Sequence, residues 1–160
     1  GAEPIIAVDI ATEKLDAACQ FGATETVNAS KADPVEKIRE LTKGRGADYV
    51  IESAGIVHTF SPAIESVRRG GMVVLLGKME AEKEISIRWG ALMGERAIIR
   101  SSYGAARPRH DFPLLVEAYL DGKLLLDELI SQRVKLDQIN EGFDSMERGK
   151  VIRTVIDLQA

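Results

Sequence analysis

The sequence has 160 residues, 45% of them hydrophobic, which is enough for one domain over residues 1–160 with a substantial core. Its 21 Lys and Arg are outnumbered by 25 Asp and Glu for a net charge of -4, so no basic field marks it for nucleic acid or anionic lipid. The single cysteine, Cys19, excludes an internal disulfide framework and a cysteine-rich zinc module, and fits a reducing, cytoplasmic setting. No run reaches the roughly 18 apolar residues of a membrane span, and Gly1-Ala2-Glu3-Pro4 does not open a signal peptide.

In chain order, a first strand is expected over residues 4–10 (PIIAVDI), followed by a helix capped by Thr12, carrying Leu15, Ala18 and Cys19 on its buried side and stopping at Gly22. A second strand is expected over 24–28 (TETVN). Asp33-Pro34-Val35-Glu36 then supplies an N-cap, a proline at the first helical position and a glutamate three residues after the cap. Val35, Ile38 and Leu41 share one face of that helix. A third strand at 48–52 (DYVIE) precedes a helix that buries Phe60, Ala63, Ile64 and Val67 and stops at Gly70-Gly71. A fourth strand at 72–77 (MVVLLG) leads into a looser stretch over 80–95, in which EAEKE at 80–84 reads as a solvated loop. After a fifth strand at 97–102 comes a helix with Phe112, Leu115, Val116 and Tyr119 that ends at Gly122. A short strand at 133–136, a helix at 139–146 and an alternating strand at 151–158 (VIRTVIDL) complete the chain. Buried β-branched strands alternating with amphipathic helices predict an α/β fold: a doubly wound, Rossmann-like parallel sheet with helices on both faces.

Asp9 is an acid at the carboxyl end of the first strand, followed at once by a helix. In dinucleotide-binding folds such an acid accepts hydrogen bonds from the adenosine ribose hydroxyls, and its charge repels a 2′-phosphate, favouring NAD over NADP. Lys14 could flank the same ribose. An acid here could equally cap the following turn, and methyltransferases use one for a different ribose. Two further strand ends, Ser53-Ala54-Gly55 and Gly77-Lys78, offer glycines that either permit close backbone approach to a ligand or form ordinary turns. Arg107, Arg109 and His110 either attract a phosphate or belong to an exposed loop before a helix.

The segments VDIATEKL, FGATETVN, ADYVIESAG, GGMVVLLG and INEGFDSMERGKVIRTVID, in this order and spacing, resemble the zinc-dependent alcohol dehydrogenases of the medium-chain dehydrogenase superfamily over nearly the whole chain. INEGFD and IRTVI are the most family-specific of these strings. The resemblance implies that Asp9 and Lys14 hold the adenosine ribose with Ile10 beside them. It also implies that Ser53, Ala54 and Gly55 lie along the adenine side and nicotinamide ribose, and that Leu76, Gly77 and Lys78 approach the nicotinamide. The backbone at Ser101 and Tyr103 would hold the carboxamide, and Arg153 would reach the pyrophosphate. The implied function is the cofactor-binding part of an NAD-dependent, zinc-type alcohol dehydrogenase that moves hydride between an alcohol or aldehyde and the nicotinamide. At 160 residues the chain is too short for that two-domain enzyme and is expected to be inactive by itself.

The chain also departs from the family pattern. No G-x-G-x-x-G occurs in it, and the resemblance places the family's glycine-rich turn on a strand and helix ahead of Gly1. That strand would lie between the first and third strands seen here, so either these two close onto each other, or another segment fills the slot, or a piece has been lost by proteolysis. The family's zinc ligands fall outside the chain as well. Cys19, His58 and His110 stand too far apart to replace them, so no catalytic or metal-binding residue is assigned here. The strand at 97–102 is implied to pair with its two-fold mate, giving a homodimer or tetramer. The alternatives are a zinc-free quinone or enoyl reductase using NADPH, which Asp9 disfavours, and a nucleotide-binding or dimerisation module without catalysis.

Overall fold

The structure is a computed structural model that describes residues 1–159, and the chain divides into two compact units, residues 1–105 and 106–159. In the first unit, strand β1 (Ile6–Asp9) leads into helix α1 (Thr12–Gln20) and returns as β2 (Glu25–Asn28), pairing in parallel from Ile6 against Glu25 to Asp9 against Asn28. Helix α2 (Pro34–Leu41) connects to β3 (Ala47–Glu52), and α3 (Val57–Ser66) connects to β4 (Val67–Leu75), which pairs in parallel with β3 on one side and with β5 (Ala97–Arg100) on the other. The second unit holds α4 (Pro108–Leu120), β6 (Ile130–Lys135), α5 (Ile139–Glu147) and β7 (Arg153–Asp157), with β6 and β7 parallel. Every strand pair is parallel and most are joined through a helix, as the alternation of patterns predicts.

The core of the first unit forms where α3 packs on the three-stranded sheet. Ile64, Val67 and Val73 are almost completely excluded from solvent, and Val50, Leu75, Leu92 and Ile98 pack around them. Arg39 of α2 donates to the carbonyl of Glu65 on α3, tying the neighbouring helices together.

Helix α2 starts as its sequence dictates. The Asp33 carboxylate accepts from the backbone N–H groups of Val35 at 2.7 Å and Glu36 at 3.1 Å, Pro34 opens the first turn, and Val35 and Ile38 are buried.

Several expectations are corrected. Thr12 is not a cap. The cap position is Ala11 without a side-chain bond, and the Asp9 carboxylate instead accepts the Ala11 N–H at 2.9 Å. Thr12, as the first helical residue, receives a hydrogen bond from the Asn28 amide. Cys19 is exposed rather than buried, because the two strands beneath α1 span only about 5 Å while a helix is about 10 Å across, so the covered stripe centres on Leu15.

Helix α3 ends at Ser66, not at Gly70-Gly71. Val67 turns extended and becomes the buried first residue of β4. The pairing then slips between Ala47 opposite Val67 and Tyr49 opposite Met72, and the glycines sit inside this bulge. Gly71 is required there, since a Cβ would come within 2.8 Å of the Asp48 carbonyl oxygen. Leu76 and Gly77 lie beyond the end of β4 and Ser101 and Ser102 beyond the end of β5.

The strands are also less buried than expected. The sheet is not continuous: β1 pairs only with β2, and β3 only with β4, among the described residues. Strands β1 and β3 therefore do not close onto each other. Val8, Tyr49 and Ile51 remain exposed, because each of these strands has one unpaired edge and the first unit's helices cover the opposite face of β3.

Replacing Asp33 with Ala should lower stability by about 1 kcal/mol while Asn retains most of it, since only the cap acceptor is lost; urea denaturation of the two variants measures the difference.

Candidate cofactor-binding site

The expected site residues of the first unit fall at the carboxyl ends of its strands. At the end of β1, one Asp9 carboxylate oxygen caps the turn into α1 through Ala11, and among the described residues the other oxygen has no protein donor. The turn-capping and ligand-accepting readings of Asp9 are thus compatible, one oxygen serving each. Ile10 follows with its side chain largely exposed, and Lys14 is exposed on the first turn of α1.

The three-stranded sheet brings a second group together. Glu52 and Leu75 are register partners at the ends of β3 and β4. Ser53 and Ala54 are exposed as the chain leaves β3, and Leu76 and Lys78 as it leaves β4. Between them Gly55 and Gly77 are buried and touch backbone to backbone. Gly55 has φ +67°, and a Cβ on it would stand 2.7 Å from both the N and the O of Lys78, while a Cβ on Gly77 would overlap the backbone of Gly55. The glycines are therefore not ordinary turn residues; they allow two strand-end turns to cross at a separation that no side chain fits. Ser101 joins the group from β5, its N–H donating to the Leu75 carbonyl at 3.0 Å.

The sequence reading overlooked three residues that hold this crossing. Glu52 is buried at 4% exposure, and its Oε1 accepts from the Gly55 N–H at 2.9 Å and from the Thr59 hydroxyl at 2.7 Å. Its own carbonyl accepts the N–H groups of Leu76 at 2.7 Å and Gly77 at 3.0 Å. Arg100, at the end of β5, donates to the Gly77 carbonyl at 2.6 Å. An acid closing an otherwise apolar strand, ADYVIE, was the available signal for Glu52; nothing local marks Thr59 or Arg100.

Tyr103, the remaining expected residue of the first unit, does not join either group in the structure. Tyr103 is almost fully exposed in a 3₁₀ turn with φ +51°. Arg153 is exposed at the start of β7 in the second unit. Arg107 and His110 turn to a neighbour instead of presenting a phosphate site. The Arg107 N–H and the His110 ring both bond the Asp111 carboxylate, and together they hold its pKa below the ordinary aspartate value.

A dinucleotide fits these features. Ser53, Ala54, Leu76 and Lys78 are exposed on the two turns that the Gly55–Gly77 contact brings together, where a ring or ribose could lie, and Asp9 retains an unused acceptor at a strand end. Zinc does not fit, since among the described residues no group of three or more His, Cys, Asp and Glu side chains is arranged to hold a metal ion.

Residues 1–121 match the profile of the family described as zinc-binding dehydrogenase. The chain is 37% identical over 163 residues to the S-(hydroxymethyl)glutathione dehydrogenase of Paracoccus denitrificans, covering 98% of this chain and 44% of the relative. It is 40% identical over 161 residues to the alcohol dehydrogenase class-3 of Drosophila melanogaster, covering 98% and 42%. Among solved structures, an alcohol dehydrogenase zinc-binding domain protein from Burkholderia ambifaria superposes with a TM-score of 0.93 at 30% identity, over 100% of this chain and 43% of that one. The chain thus spans less than half the length of the relatives it matches. A profile match over most of the chain, relatives above one third identity and a superposable Rossmann-like fold place it together: the chain belongs to the zinc-binding dehydrogenase family.

Proposed function

We propose that this chain forms the NAD-binding part of an alcohol dehydrogenase, with the adenosine ribose at Asp9, Ile10 and Lys14, and the nicotinamide half along Ser53–Gly55, Leu76–Lys78 and Ser101. The backbone at Tyr103 would reach the carboxamide. The observation that carries this reading is Asp9, whose second carboxylate oxygen has no donor among the described residues and stands at a strand end where it could take both hydroxyls of a ribose. When bound, the nicotinamide supplies the hydride acceptor for an alcohol or the hydride donor for an aldehyde.

The chain's own residues bind and orient. Asp9 selects the unphosphorylated ribose by charge, and the glycine crossing sets the turns that carry Ser53, Ala54, Leu76 and Lys78 side by side to orient the cofactor. We place the zinc on residues outside this chain, in keeping with the donor set described above, and the setting in the cytoplasm, in keeping with the lone free thiol.

Replacing Asp9 with Ser should lower the NAD-to-NADP affinity ratio of the protein carrying this chain by at least about tenfold, because a repulsive charge is removed. An unchanged ratio, or tighter binding of S-adenosylmethionine than of NADH in the same calorimetric titration, would sink the assignment.

The same reading extends to assembly. Strand β5 has β4 as its single strand neighbour among the described residues, and Ile99 on it is partly exposed. We propose that its free edge pairs with a second copy, so that one sheet runs across a symmetric dimer, alone or within a tetramer. Sedimentation equilibrium at micromolar concentration should give a dimer or tetramer that a proline at Ile98, whose N–H alternates with the Ser101 N–H bonded to β4, dissociates; a monomer for the unmodified protein contradicts it.

A further inference from the structure

We infer that Glu52 is a positioning residue for the nicotinamide half of the cofactor, acting through the two turns that cross at Gly55 and Gly77; the inference rests on the cofactor reading proposed above. Its carboxylate stands between the turns. Oε1 is saturated by the Gly55 N–H at 2.9 Å and the Thr59 hydroxyl at 2.7 Å. Oε2 is buried and has no hydrogen-bond partner among the described residues, yet it lies 2.7 Å from where a Cβ of Gly77 would be.

A buried carboxylate oxygen without a donor is unfavourable, and a site that only needed to be filled would be served by an apolar side chain. The observed arrangement makes sense as a spacer. Oε1 ties the Gly55 peptide to the first turn of α3 through Thr59, and its partner oxygen abuts the bare backbone of Gly77. The main-chain carbonyl of the same residue holds the N–H groups of Leu76 and Gly77, so one residue fixes both turns. Arg100 closes the arrangement from the far side through the Gly77 carbonyl at 2.6 Å. Glu52 itself is too deeply buried to touch a cofactor. It acts by setting where Ser53–Gly55 and Leu76–Lys78 stand relative to each other.

A purely structural role and a positioning role differ in which half of the cofactor notices a change. Glu52 adjoins the nicotinamide-side turns, while the adenosine side rests on Asp9 and the separate β1–β2 pair. In the protein carrying this chain, affinities for NADH and for AMP, which lacks the nicotinamide and its ribose, are therefore measured side by side for Glu52→Gln and for the milder Thr59→Val, which removes one of the two donors to Oε1. Expected is a loss of at least about tenfold in NADH affinity for Glu52→Gln with AMP affinity held within about twofold, and the same pattern at smaller size for Thr59→Val.

A melting curve accompanies each variant, and if Glu52→Gln does not fold, Thr59→Val decides. Parallel losses for both ligands, or no loss for either, overturn the positioning role while leaving the cofactor reading intact. An unmodified protein that binds neither ligand overturns both.

Discussion

Two stretches of backbone after neighbouring parallel strands run in contact, and the geometry of the candidate site follows from that contact. Gly55, in the left-handed region, lies against Lys78, and Gly77 lies against Gly55, with no room for a Cβ on either. The close crossing of bare backbone sets the two turns side by side, so that the exposed Ser53, Ala54, Leu76 and Lys78 border one stretch of the strand ends. It also concentrates polar groups in a buried place. Glu52 satisfies several of them at once, and Arg100 satisfies the Gly77 carbonyl from the next strand. The register of β3 on β4, ending at Glu52 opposite Leu75, brings the two turns side by side in the first place.

The packing behind the crossing is uneven. Ile64, Val67 and Val73 form a dry contact between α3 and the three-stranded sheet, so the strands that carry Glu52, Gly77 and Arg100 are anchored from below. Around the β1–β2 pair that carries Asp9 the buried apolar residues are Leu15 of α1, Val27, and Val35 and Ile38 of α2, none of them as fully excluded from solvent as Ile64, Val67 and Val73. A two-stranded parallel pair is weakly held by itself. The exposed Val8 and the exposed Tyr49 and Ile51 lie on strands that each have an unpaired edge. The Asp9 end of the candidate site thus rests on less fully buried packing than the Gly55–Gly77 end.

Much of this was legible in the sequence for physical reasons. The N-cap at Asp33 and the apolar period of α2 are local signals, and local chemistry determines them. Strand identity was legible because β-branched runs have few alternatives, and Asp9, Gly55 and Gly77 stood out as residues whose type is unusual at the end of such a run. Where the reading missed, tertiary contact decided. Val67 has the right spacing for the buried face of α3 and equally suits the first position of a strand, and the close approach of Gly71 to Asp48 settles it as strand. Cys19 lies on the predicted face of α1, but a two-stranded sheet is too narrow to cover it. Thr59 and Arg100 act on residues distant in sequence, Arg100 on a carbonyl 23 positions away, and no spacing rule reaches that far.

The account rests on the strand ends of the first unit forming one nucleotide-binding line, with Asp9 at one end and the Gly55–Gly77 crossing at the other. Two open grooves run elsewhere, along α2, bordered by residues such as Asp33, Lys37 and Glu40, and include none of these positions. Backbone amide shift mapping on addition of NADH to the isotopically labelled protein addresses the claim most directly. The account predicts changes centred on residues 9–11, 53–55, 76–78 and 101; changes confined to the α2 grooves, or changes at Asp9 with none at Gly55 and Gly77, would contradict it.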